Sequence, residues 1–240
     1  MIGNWTMRGV LAALAATLVF APAAEGSVST YVTPTGATDT VGDPVSATAT
    51  FTTGAGILTV TVQNLLTLEK DVGQAISDLG FTFTTGQTTG TISSTPNETA
   101  RTVNSDKTFS DASTNTIHWA LENNVSGGLR LCDLCVGGQP KSTIIGSSDP
   151  SDPTHYSNAN SSIAGNDPHN PFLAGVVTFN LNIPGLTAAS VVNSVFFSFG
   201  TAEGNNVTGV PGRVPAPSAL LLLGSGLGIV GIARLRRRRR

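Results

Sequence analysis

Apolar residues alternate with threonine along much of this chain, and that period of two leaves few folds open. Val45, Ala47, Ala49 and Phe51 alternate with Ser46, Thr48 and Thr50, and Leu58, Val60 and Val62 with Thr59 and Thr61. Gly54-Ala55-Gly56 separates the two runs, which predicts a hairpin with a short glycine loop. Residues 81–84 (closed by Gly86), 117–121 around Trp119, 177–183 and 195–199 repeat the pattern. Successive side chains of a strand point to opposite faces, so each segment buries one face and shows the other. Threonine suits the shown face because its branched Cβ fits a pleated surface. Sheets of this kind must bury their apolar faces against each other. The expectation is an all-β chain, an antiparallel β-sandwich of about seven to nine strands.

Three segments break the pattern. Residues 65–79 are interrupted by Gly73 and read as an irregular insertion. Residues 146–171 carry Pro150, Pro153, Pro168 and Pro171 among Ser, Asn and Asp, and read as a long loop too polar to supply a core strand. Residues 204–213 are rich in Gly and Asn and read as a flexible stalk. The sandwich domain is therefore expected over residues 25–203.

The two ends have a different character. Residues 1–24 hold Arg8, an apolar stretch from Val10 to Ala21 and the small-residue site Ala21-Pro22-Ala23, which is the pattern of a secretory signal peptide. At the other end, residues 219–233 are uncharged and the chain closes on Arg236, Arg237, Arg238, Arg239 and Arg240. As a helix those uncharged residues would span ~22 Å. That is short of the roughly 30 Å hydrocarbon core, so a transmembrane helix over residues 219–235 would need thinning of the bilayer or snorkelling of Arg234. The arginines act as a stop-transfer cluster that stays cytoplasmic and leaves the rest of the chain across the membrane. Between the ends, six basic residues face all fifteen acidic ones, a net charge of −9. That balance argues against binding nucleic acid or anionic lipid.

The tail is similar to the PEP-CTERM sorting signal, in which a short Pro-x-Pro motif precedes an apolar helix and an arginine cluster. Its parts here are Pro215-Ala216-Pro217, the run from Ser218 to Gly224, and Arg236 to Arg240. Ala216 stands where the family has glutamate, so the tail looks like the related VPxPA-type variant, and the subtype of enzyme that reads it is left open. The resemblance covers residues 214–240. It implies an exosortase-type membrane protease as partner, export across the inner membrane of a Gram-negative bacterium, and residence at the cell surface, in the outer envelope or outside the cell. It also implies an exopolysaccharide or biofilm setting. The expected function is that of a non-enzymatic surface or matrix protein. The alternatives are a calcium-assisted carbohydrate-binding module and a secreted hydrolase.

Few residues are marked out for chemistry. Cys132 and Cys135 form a pair that in an exported chain reads as a local disulfide, with free thiols and redox or metal roles as alternatives. Val136-Gly137-Gly138-Gln139-Pro140 follows, which disfavours the helix a redox motif needs. Asp149, Asp152 and Asp167 sit in the long loop and are the calcium candidates, although their spacing matches no known calcium loop and turns favour the same residues. His155 and His169 lie in the same loop. His118 falls on the polar side of a strand, next to Trp119, whose alternation with Ile117 and Leu121 points to the core. No nucleophile elbow, paired-histidine zinc motif or phosphate-binding loop occurs. No cofactor and no catalytic residue is therefore assigned.

Overall fold

The computed structural model describes residues 26–212. The signal-peptide segment, the sorting motif Pro215-Ala216-Pro217, the apolar run and the terminal arginines lie outside the described residues. Within them the chain is all β, with two single-turn 3-10 helices at Val72–Gln74 and Leu134–Val136. No helix of the described residues is long and apolar enough to cross a membrane.

Fifteen strands are formed among the described residues. In chain order they are β1 (Val28–Val32), β2 (Ala47–Thr53), β3 (Ile57–Asn64), β4 (Ile76–Phe83) and β5 (Thr91–Ser94). Then come β6 (Glu98–Val103), β7 (Phe109–Thr114), β8 (Ala120–Val125), β9 (Gly128–Cys132) and β10 (Ile144–Ile145). The last five are β11 (Phe172–Ala174), β12 (Val176–Asn182), β13 (Val192–Phe199), β14 (Asn206–Thr208) and β15 (Val210–Pro211). One sheet has six strands in the order β15-β1-β2-β3-β12-β5. The other runs β14-β13-β4-β10-β11-β6-β7, with β9 also beside β4 and β8 beyond β9. Pairing is antiparallel except between β10 and β11, which are parallel, so the second sheet is mixed.

The alternating residues decide how the sheets meet. Ala47, Ala49, Phe51, Leu58, Val60, Val62, Val177, Phe179 and Leu181 face inward from the first sheet, and Leu79, Phe81, Leu131, Val195, Phe197 and Phe199 meet them from the second. The β2–β3 hairpin forms as its sequence predicts, in unbroken register from Ala47 opposite Asn64 to Thr53 opposite Leu58. Phe51 lies at the centre of the sandwich, edge-on to Tyr31 and tilted against Phe81.

Strand β4 is buried on both faces over most of its length, and its first part, Ile76 to Gly80, shows no alternation. Its outward Gly80 lies beneath Phe196 of β13, and a Cβ at that position would overlap the aromatic ring. Substituting Gly80→Ala is expected to cost about 1–3 kcal/mol, because the ring must swing off the strand. A urea melt checks it; unchanged stability would mean that Phe196 does not cover the glycine.

The count of fifteen exceeds the seven to nine expected. The additional strands are short or lie at edges, and edge strands such as β7, exposed over most of its length, need no apolar alternation. Residues 65–75 are irregular as expected, but β4 begins at Ile76 rather than near Phe81. The strand expected from Ile117 begins at Ala120. The stalk expectation is corrected. Asn206–Thr208 pairs with β13, and Val210–Pro211 pairs with β1, so this segment belongs to both sheets. Strand pairing uses backbone groups, which Gly and Asn carry as well as any residue, and two open sheet edges supply the partners.

The long polar loop forms no strand, yet it is docked. Its few apolar residues, Tyr156, Ala159 and Ile163, are buried with Ala75, Val103, Ile145 and Phe172 in a second core cluster.

Candidate functional site

Three polar clusters stand out, and each is built from residues distant in sequence. The first lines a cavity of about 430 Å3 bounded by Asp39, Asp71, Gly73, Asn160, Ser162 and Asn205. The Asp39 carboxylate is buried and accepts from the backbone amides of Val41 (3.0 Å) and Asp43 (2.8 Å), which ties the loop between β1 and β2 into a tight turn. Asp71 accepts from the Gly73 amide at 2.9 Å and so caps the first 3-10 turn. Asp43 pairs with Lys70 at 3.1 Å. One ligand atom from each of Asp39, Asp43 and Asp71 falls within 4.8 Å of the others. Oxygen sets of this kind suit hard cations. Here, however, backbone amides and the Lys70 ammonium already balance the carboxylates, and the hydrogen bond from Lys70 to Asp43 raises the lysine pKa.

The second cluster anchors the long loop. Arg101 on β6 makes a two-pronged contact with Asp111 on β7, both arms at 2.7 Å. Its guanidinium lies over the Phe109 ring, 3.8 Å from the centroid, and donates to the Tyr156 hydroxyl at 3.0 Å. Tyr156 donates in turn to the Gly146 carbonyl at 2.8 Å, and burial pushes its pKa up to about 12. Behind them Glu69 is fully buried. Its oxygens accept from the Asn64 side chain at 2.6 Å and the Gly146 amide at 3.0 Å. Burial outweighs both bonds and raises the Glu69 pKa to about 8. Asn64 also donates to the Gln74 and Ile144 carbonyls. Every polar group of this cluster is committed to holding chain segments together.

The third cluster surrounds the cysteines. Cys132 and Cys135 are joined in a disulfide with Cα atoms 5.6 Å apart, inside the range such bonds require. Between them Asp133 is buried and binds His118 Nδ1 at 2.5 Å and the Ser142 amide at 3.1 Å. Burial raises the Asp133 pKa, and the bond from His118 opposes it. Asp78 next to them is buried and pushed up to about 6 by the same cause, with Arg130 Nη1 3.7 Å away. An Asp–His pair can orient a general base. In the described residues the neighbouring hydroxyl, Ser142 Oγ, accepts from the His118 backbone amide instead of meeting the free edge of the ring. Neither the cavity at Asp39 and Asp71 nor a second one of about 420 Å3, bounded by Asn64, Arg101, Asp111 and Gly146, is lined by His118 or Asp133. The pair instead closes the chain around the disulfide, and Trp119 joins it, donating to the Ser142 carbonyl at 2.7 Å while packing on Phe179. Trp119 is thus a core residue with a satisfied N–H.

The calcium candidates are placed differently from one another. Asp149 accepts from the Ser151 amide and hydroxyl, and Asp152 from the Thr154 hydroxyl, so both serve turns. The hydrogen bond from Ser151 lowers the Asp149 pKa, and that from Thr154 lowers the Asp152 pKa. Among the described residues, carboxylates whose ligand atoms converge are found at Asp39, Asp43 and Asp71, and Asp149, Asp152 and Asp167 form no such group. His155 pairs with Asp152 at 2.9 Å, whereas His169 is buried against the Pro140 carbonyl. Sequence reasoning passed over Asp39, Glu69 and Asp78. Charged residues within apolar stretches were the available signal for Glu69 and Asp78.

No protein-family model, curated protein or solved structure matches the chain.

Proposed function

We propose that this chain is an exported surface or matrix protein, sorted through its C-terminal segment by an exosortase-type membrane protease, with a structural or adhesive role in exopolysaccharide or biofilm. The observation that carries the reading is the order of parts at the end of the chain. Pro215-Ala216-Pro217 precedes an uncharged apolar run, and five arginines close the sequence. An N-terminal segment with signal-peptide character and an acidic, Thr-rich body between the two ends support it. The described body begins and ends on neighbouring strands, with Tyr31 opposite Pro211. The polar clusters support a non-enzymatic role, since their charged groups are spent on holding loops.

The test is made on the precursor expressed in a host that carries the sorting enzyme, with and without residues 215–240. Mass spectrometry of the mature C-terminus is expected to show loss of the arginines. The truncated chain is expected to escape retention at the surface. An intact arginine tail in every mature molecule would make the segment a simple anchor and sink the sorting proposal.

A further inference from the structure

The outer face of the six-stranded sheet repeats one chemistry over several strands. Strand register sets Thr30, Thr50, Thr61 and Thr178 side by side in a single row across β1, β2, β3 and β12. The next row is Val28, Thr52, Thr59, Asn180 and Ser94, and the row on the other side is Val210, Val32, Thr48, Gln63 and Val176. None of these fourteen positions is charged, in a chain whose body carries an excess of acid. None is aromatic. Val28, Val176 and Val210 are 45%, 53% and 40% exposed, and the threonines of the array are half-buried or exposed. The β2–β3 and β3–β12 pairings run without a bulge across the array.

We propose that this face binds ice. Same-face residues recur about every 6.7 Å along a strand and about every 4.8 Å between strands, so the threonines form a two-dimensional grid. Each threonine offers a methyl group, around which water is held in an ordered shell, and a hydroxyl that bonds to that shell. A grid of such groups suits a partner that is itself a repeating, uncharged array of hydrogen-bonded oxygens. Charge would orient water against the lattice, and the face has none. Bonds between Thr30 and Thr50 (3.0 Å) and between Thr59 and Asn180 (3.0 Å) hold hydroxyls in fixed positions. Strand twist confines the match to the central strands.

Other occupants fit less well. Taken over its fourteen positions, the array covers roughly 450 Å2, about half of what each partner buries in a stable protein interface. The Trp, Tyr and Arg anchors that dominate protein interfaces are missing from it. A sugar chain would meet no aromatic ring on which to stack. The proposal holds whether or not the tail is removed, and so stands apart from the sorting reading.

The test uses the purified exported protein and ice itself. Ice grown slowly on a cold finger is expected to take up the wild-type protein, and wild-type protein is expected to stop small ice crystals from coarsening. Thr61→Lys and Thr52→Lys should each cut uptake by about tenfold or more, because an ammonium pressed against ice loses its hydration without a partner. Ser110→Lys, on the exposed edge strand β7, should leave uptake unchanged. Thermal melts select variants that keep the wild-type fold. Exclusion of the wild type from growing ice would overturn the proposal, as would uptake of both face variants at the wild-type level. A Thr61→Lys-sensitive dimer, or Thr61→Lys-sensitive retention on a neutral glucan without ice uptake, would assign the face to those partners instead.

Discussion

Replacing Phe51 by alanine is expected to lower the unfolding free energy by about 3–5 kcal/mol. Phe51 is fully buried, belongs to the hairpin that opens the first sheet, and meets Phe81 of the second. Its removal strips contacts from both sheets at once. The flanking Tyr31 cannot fill the space without giving up its bond to the Val192 carbonyl. The loss should appear as a lower midpoint in urea with an unchanged slope, since the surface exposed on unfolding hardly differs. A loss below about 1 kcal/mol would mean that the two sheets do not meet at this ring.

Stability should fall as pH rises from mildly acidic to mildly alkaline, and Glu69 should dominate the fall. Its pKa is raised from 4.5 to about 8, chiefly by burial, so the folded chain favours the protonated carboxyl. A raised pKa gives stability that is complete below the unfolded value and is lost as pH climbs through the folded one. The window therefore opens near 4.5 and closes near 8, with a fall on the order of 3–5 kcal/mol. Asp78, raised from 3.8 to about 6 by burial, acts in the same direction over a lower window. Substituting Glu69→Gln should destabilise the protein at pH 4.5. The new amide would meet either the Asn64 side chain or the Gly146 amide, both of which are donors. The same substitution should flatten the profile above that pH. Melting temperatures of both proteins across the window test this, and a variant whose stability falls as steeply as the wild type's would place the titrating group elsewhere.

How much of this was legible in the residues depended on burial. Strands with one buried face, such as β2, β3, β12 and β13, showed their alternation and were found. The first part of β4, from Ile76 to Gly80, hid because both of its faces are covered, and β5 and β7 because side chains on both faces are largely exposed. Neither condition produces a period of two. The stalk expectation failed for a related reason. The composition of residues 204–212 speaks of freedom, but their strands are held by backbone bonds to β13 and β1. The calcium candidates crowd together along the chain, whereas the carboxylates that converge come from positions 39, 43 and 71.

The sequence by itself determined the all-β class, the β2–β3 hairpin, the inward set of Phe and Val residues, and the threonines that alternate with the core residues of β2 and β3. These are local consequences of a two-residue period and of turn chemistry. The tertiary structure decided what lies next to what. It set the threonines of four strands into rows, brought Asp39 to Asp71, placed Glu69 beside Asn64 and Gly146, and sank Tyr156, from a loop that reads as solvent-bound, into a second core. Strand order and register are properties of long-range pairing, and no window of neighbouring residues carries them.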